Sequence, residues 1–410
     1  MTMFTGKYCC PVIFCVRFRV LCASAKAISP TRLQALRSFM HRHSFLVCCL
    51  AVGAALYTHA THNGLGITFD SAHYLAAARS LLHNGTLRNA HGTAYTNWPP
   101  LYPVLLALAR AELHNVRAGQ VLVFLGILFL AYRLTARNIR HPVLRVSFMG
   151  SIVFSTPLLL ANVFVWSEGF FVLLVLLLFW QFQRYQDNPR AGLLTVLVVL
   201  GNLLCLQRFT GIFLVFGFAF LIFLQRKNLK EAAAYSFFSL SGIAVWLFRN
   251  TFHEHSPAFR QNIFVTQPLQ SLAGYIDALG NWFVPVSAPF AIKLAIGVLW
   301  FSGILFCQWR FRFKTGSFFF QTNFLALCYL ACMVLAGGEA PETERFAIPA
   351  YVFVFGGIAA GLDAAFAVLP APRRVAVAII LFVWLAYPVG RAVKNADFWH
   401  QANTSNMRGR

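Results

Sequence analysis

Runs of about 16 to 24 nearly uninterrupted apolar residues, each followed by a short polar or basic cluster, recur along the chain and restrict its fold more than any motif does. An unpaired backbone N–H or C=O group in hydrocarbon costs several kcal/mol, so a chain crosses a bilayer only as helices or as a closed barrel. Barrel strands alternate apolar and polar residues; stretches such as "GFFVLLVLLLFW" and "GIFLVFGFAFLIFL" do not. About 20 such residues in a helix cross a hydrocarbon core about 30 Å thick. The expected class is therefore all-α: a polytopic transmembrane helical bundle of about eleven spans, at 44–60, 117–136, 143–161, 165–183, 191–207, 209–225, 232–248, 286–307, 317–336, 346–368 and 375–390. Composition agrees, since only 11% of residues are charged, against about a quarter in a soluble domain.

The formal net charge of +22 would suggest a nucleic-acid partner in a soluble chain. Here Lys and Arg cluster between the apolar runs, where they set topology, and no nucleic acid is expected. With the N-terminus inside, "RLTARNIRHPVLR", "QRYQDNPR", "QRKNLK", "QWRFRFK" and "APRR" all face the cytoplasm, as the positive-inside rule requires. Residues 1–43 then form a basic cytoplasmic lead, because Arg17 and Arg19 interrupt the apolar core of a cleavable signal. Met40 is an alternative start. Residues 44–390 form the transmembrane domain, and 391–410 a short tail that reads like the opening of a further segment. Six of the ten cysteines precede residue 50 and the others fall in or beside spans; no disulfide or zinc spacing is expected.

The opposite face collects Asp70, Glu112, Glu168, Glu254, Asp277, Glu339, Glu342, Glu344 and Asp397, leaving only Asp187, Glu231 and Asp363 inside. It also owns the long connections 61–116 and 249–285 and a shorter one at 337–345, so any chemistry belongs there. Within 61–116, "SAHYLAAARSLL" has helix-forming composition, with Asp70 as the expected N-cap and Gly85 closing the helix. It is too short to span and is expected to lie on the membrane surface. In "HGTAYTNWPPLYPVLLALARAELH", Trp98, Tyr102 and the paired prolines suit an interfacial anchor ahead of a second surface-lying or re-entrant helix.

Each candidate residue has an ordinary reading beside a chemical one. As an N-cap, Asp70 satisfies orphan N–H groups and meets the helix dipole; an ionised carboxylate there can also orient an acceptor hydroxyl or take its proton. His73, one turn on and on the same face, is an interfacial polar residue or a proton relay. Asp70 and His73 alone are too few ligands for a metal. Glu168 is either the dipole partner behind a Ser167 cap or a functional carboxylate at the hydrocarbon edge. Arg208, Arg249 and Arg345 stand at outer span ends; any one of them can simply snorkel, whereas three together make a pocket for a lipid phosphate.

In chain order, "FDSAHYLAAARSLLHNG", "TNWPPLYPVLLALA", "SEGFFVLLVLLLF", "QRFTGIFLV", "WLFRNTF" and "ERFAIPAYVFVFG" resemble the polytopic GT-C superfamily of glycosyltransferases over roughly residues 45–360. The branch most similar contains protein O-mannosyltransferases and lipid A aminoarabinose transferases. The resemblance implies inverting transfer of a sugar from a polyprenyl-phosphate donor to an extracytoplasmic acceptor, whether glycolipid, polysaccharide or protein. It implies a multi-pass protein of a bacterial plasma (inner) membrane whose active site faces the periplasm. Asp70 matches the family's catalytic base or acceptor-orienting carboxylate, and Glu168 more loosely a later acidic site residue. Arg208, Arg249 and Arg345 are the implied donor-phosphate ligands, and His73, Tyr74, Trp98 and Tyr102 the substrate-binding residues. A divalent cation, Mg or Mn, stays open, although Ser71 stands where many protein mannosyltransferases carry a second carboxylate. No Gly-rich strand-turn-helix signature for a nucleotide sugar appears. Two other readings stand beside this one: a transporter or flippase of lipid-linked saccharides, which would place polar groups mid-span, and an inactive scaffold relative.

Overall fold

The computed structural model describes the backbone of residues 30–252, 268–337 and 342–408. The chain divides into two units, residues 1–48 and 49–410. The first is described only as the opening of α1 (Pro30–Ala60), so most of the expected lead lies outside the described residues, as do Glu254 and Glu339. The second continues through α2 (Phe69–Asn84), α3 (Leu101–Leu108), α4 (Leu113–Asn138), α5 (Pro142–Val153), α6 (Thr156–Val163), α7 (Glu168–Asp187), α8 (Ala191–Gln207) and α9 (Gly211–Arg226). After these come α10 (Leu229–Thr251), α11 (Pro268–Gly280), α12 (Phe290–Phe311), α13 (Phe318–Ala336), α14 (Thr343–Val368) and α15 (Ala371–Arg408).

Among the described residues, seven helical stretches are long and apolar enough to cross a membrane: α4, the α5–α6 pair, α10, α12, α13, α14 and α15 up to Ala402. Ser44–Ala60, α8 and α9 are apolar but shorter. With α7, these helices overlie every apolar run marked in the sequence. The chain is thus an all-α integral membrane protein.

Close packing of the helices uses glycine against asparagine. A Cβ at Gly357 of α14 would stand 2.4 Å from Asn323 Oδ1 of α13, and one at Gly242 of α10 2.3 Å from Asn202 Oδ1 of α8. Lipid tails are as apolar as leucine, so membrane helices associate through such close approach and through polar contacts rather than hydrophobic gain. At one end of the helices, Asp363 of α14 accepts the backbone N–H groups of Arg140 and His141 at 3.0 and 2.9 Å, fixing the α4–α5 turn. Arg137 pairs there with Asp187.

The residues from 391 onward, expected as a short tail, are helical up to Arg408. Helix α15 continues to Arg408 and buries Ala392, Ala396 and Trp399, a spacing that lines one helical face. Asn63 donates to the His400 carbonyl at 2.9 Å, and His59 Nε2 meets Asp397 Oδ1 at 2.5 Å. Helix α3, at eight residues, is too short to cross. Beyond its C-cap Ala109 come two left-handed residues, Arg110 and Ala111 (φ 58° and 53°), which redirect the chain into α4.

Candidate active site

Two chain entries lie side by side and position the site. Gly66 N–H donates to the Val163 carbonyl and Val165 N–H to the Gly66 carbonyl, both at 3.0 Å. Only glycine permits this approach, because a Cβ at Gly66 would stand 2.3 Å from the Phe164 ring. Trp166 Nε1 donates to Thr68 Oγ1 at 2.8 Å, so the starts of α2 and α7 are laced together.

Asp70 is not the N-cap of α2; Thr68 is. The Thr68 backbone N–H donates to Ser71 Oγ at 3.0 Å, the two hydroxyls are 3.0 Å apart, and Ser71 Oγ donates to the Val165 carbonyl at 3.0 Å. A Thr-x-x-Ser pair reproduces capping-box spacing, and the neighbouring Val165 carbonyl decides which hydroxyl residue takes the role. Ser71 is therefore structural, and Asp70, in the first turn, is left free to face a cation.

That cation is Arg345, buried in the first turn of α14. Its Nη2 lies 2.7 Å from Asp70 Oδ2, its Nε donates to Glu168 Oε1, and its Nη1 is 3.7 Å from Glu342 Oε1. The guanidinium lies over the Trp166 ring, 4.2 Å from its centroid. Glu168, only 1% exposed at the head of α7, also meets Arg208 Nη1 at 2.7 Å. The Ser167 hydroxyl does not cap α7; it lies 3.4 Å from Glu168 Oε2 and accepts from Arg208 at 2.7 Å. A buried ion pair of this kind needs further hydrogen bonds to offset its desolvation, and Ser167 supplies one.

An aromatic wall adjoins the ions. Tyr74 packs edge-on to Trp98 and Tyr102, at 5.6 and 5.1 Å between centroids. Burial first, and then the Glu168 carboxylate, push the Tyr74 phenol up, so it stays protonated. His73 lies against Phe69, His91 and Trp98, and its Nδ1 accepts the Ala90 N–H at 3.4 Å. Burial, then the neighbouring His91, lower the His73 pKa against the opposing pull of Asp70. Tyr102 is buried behind Tyr74, with the Gln120 amide 3.4 Å from its hydroxyl.

The three arginines divide. Arg208 and Arg345 join Asp70 and Glu168, whereas Arg249, at the end of α10, donates to the Tyr95 carbonyl (3.3 Å) and Asn250 Oδ1 (2.9 Å) and stacks on Trp246. Among the described residues no carboxylate lies within ion-pair distance of Arg249. Sequence reasoning missed Trp166, whose only signal is an aromatic residue two positions before Glu168 in "VWSE". It also missed Arg391 of α15, which pairs with Glu344 at 2.6 Å and donates to the Asn281 carbonyl, steadying the turn that carries Arg345. The signal there was an arginine followed by Ala392, Ala396 and Trp399 at helical spacing.

No protein-family model matches the sequence, and no curated protein matches it. In fold the chain is similar to crystal structures of ArnT from Cupriavidus metallidurans. The form bound to undecaprenyl phosphate has 12% identity and a TM-score of 0.56, over 88% of this chain and 75% of that one. The apo form has 13% identity and a TM-score of 0.55, over 89% and 75%. The archaeal oligosaccharyltransferase AglB from Archaeoglobus fulgidus, with an inhibitory peptide and a dolichol-phosphate, has 15% identity and a TM-score of 0.47, over 88% and 56%. The chain thus shares its fold with these ArnT structures.

Proposed function

We propose that the chain is a glycosyltransferase that moves a sugar, with inversion, from a polyprenyl-phosphate donor to an extracytoplasmic acceptor. The observation that carries this reading is Asp70: relieved of capping by Thr68 and Ser71, held by Arg345 through one oxygen, and still 21% exposed at its side chain. The similar ArnT structure holds undecaprenyl phosphate, which supports a lipid-linked donor. Eleven spans with a cytoplasmic N-terminus would put Asp70 on the periplasmic side of a bacterial inner membrane, as the basic connections favour.

Charge sorts the roles. Asp70 and Glu168 balance Arg208 and Arg345, so that cluster has no cationic charge in excess for a phosphate. Arg249, without a carboxylate beside it among the described residues, does, and is the donor-phosphate ligand. Arg208 and Arg345 hold the two carboxylates in place. His73, Tyr74 and Trp98 line the sugar, and Tyr102 supports Tyr74 from behind.

In the reaction the acceptor oxygen attacks the anomeric carbon from the side opposite the carrier. The carbon–oxygen bond to phosphate breaks, its electron pair stays with the phosphate, and the acceptor's proton passes to the free oxygen of Asp70. The leaving phosphate is stabilised by Arg249. The test is transfer of labelled sugar from undecaprenyl-phosphate donor to envelope acceptor in proteoliposomes. Asp70→Asn is expected to lower the rate by about 10²- to 10⁴-fold, the usual worth of a general base, with the fold retained because other residues cap α2 and Arg345 keeps its pair with Glu168. Full activity in that variant removes Asp70 from the chemistry. Movement of the donor across the vesicles without covalent transfer overturns the reading.

A further inference from the structure

The GT-C resemblance keeps a divalent cation in prospect, and the two carboxylates nearest the site do not fit one. Mg²⁺ or Mn²⁺ wants several oxygen ligands converging on a single point. Between Asp70 and Glu168 that point is taken: the Arg345 guanidinium turns Nη2 to Asp70, Nε to Glu168 and Nη1 toward Glu342. Three carboxylates around one fixed cation is the arrangement a metal would gather. Here the cation is a side chain. It is 7% exposed and rests on the Trp166 ring, so it is not a surface arginine that swings aside. Arg208 holds Glu168 from the other side at 2.7 Å, so that carboxylate stays in place whether or not Arg345 is present. His73 Nδ1 is turned to the Ala90 N–H. Among the described residues no group of three His, Cys, Asp or Glu side chains is suited to a metal.

We infer that Arg345 is a built-in counter-cation that replaces a divalent metal between Asp70 and Glu168, so that this site works without one. The inference rests on Asp70 and Glu168 being the site carboxylates, as proposed above, and adds what holds them. Removing the guanidinium should convert the pocket into a metal site, because Asp70, Glu168 and Glu342 would then surround an emptied space.

The test is Mn²⁺ binding to the purified full chain in detergent, read from the loss of the free-Mn²⁺ resonance signal. Wild type and Arg345→Lys are expected to show no saturable binding. Arg345→Ala is expected to gain one saturable site, lost again in Arg345→Ala/Asp70→Asn. A saturable site in wild type that Asp70→Asn abolishes overturns the inference. So does a folded Arg345→Ala that binds no Mn²⁺. Where Arg345→Ala fails to fold, Arg345→Gln takes its place, and wild-type transfer in EDTA gives an independent reading: it is expected unchanged, and a loss restored by Mn²⁺ overturns the inference. A wild type that transfers no sugar at all counts against the proposed function alone, since the Mn²⁺ titrations still decide the role of Arg345.

Discussion

At the residue scale, the site depends on side chains whose alternatives are costly. Glu168 is buried between Arg208 and Arg345, and Glu168→Gln would leave two guanidinium groups with one fewer negative charge. Removing one partner of a buried pair typically costs about 3–5 kcal/mol, so thermal unfolding of this variant in detergent should show a loss of that order; an unchanged midpoint would mean the pair is solvated. His73 gives a pH signature. Its pKa is lowered in the folded chain, while in the unfolded chain it titrates near about 6.5. The unfolded state therefore binds the proton first, and the stability that neutral His73 contributes is present above about pH 6.5 and lost as pH falls below it. His73→Asn should flatten this part of the midpoint-versus-pH curve relative to wild type, and parallel curves would deny it. Asp70 itself was legible as the carboxylate of interest, from its scarcity and its helix. Its partner was not, because nothing local links Asp70 to an arginine at the far end of the sequence. The cap was misassigned for a related reason: Thr68 and Asp70 are both capping residue types, and the Val165 carbonyl that recruits Ser71 comes from another segment.

At the scale of elements, apolar runs were enough to locate the long helices, since hydrocarbon leaves the backbone no other way to bond. Where pattern gives way to contact, the sequence says less. Past residue 390 the apolar run stops, yet α15 continues because Ala392, Ala396 and Trp399 find a surface to cover. The spacing of those three residues is visible in the chain; the surface that makes it matter is not. The α13–α14 contact offers a direct check. Gly357→Ala would bring a methyl group to 2.4 Å from Asn323 Oδ1, and overpacking of this kind costs about 1–3 kcal/mol. Shortening the opposing side chain should recover part of that loss, so Gly357→Ala/Asn323→Ala is expected to be more stable than the sum of the single variants predicts. Additive effects would mean that the two residues do not meet.

At the scale of the whole molecule, the proposed function depends on which side of the membrane each end of the helices faces. On the eleven-span topology expected from the sequence, the acidic residues of the site and the basic connections fall on opposite sides of the apolar runs, and the proposed transfer from a lipid-linked sugar outside the cell requires the Asp70 side to be the outer one. Charge bias is the physical reason to expect that orientation, because clusters of Lys and Arg resist translocation. Thr93 lies in the exposed turn beside α2, and Asn188 in the connection from α7 to α8. In a variant whose native cysteines are replaced by serine, Thr93→Cys should react with a membrane-impermeant thiol reagent in cells with only the outer membrane opened. Asn188→Cys should react only after the inner membrane is disrupted. The reverse pattern would put Asp70 and its arginines in the cytoplasm, where a periplasmic acceptor cannot reach them, and the proposed transfer would fail on topology before any question of catalysis arose.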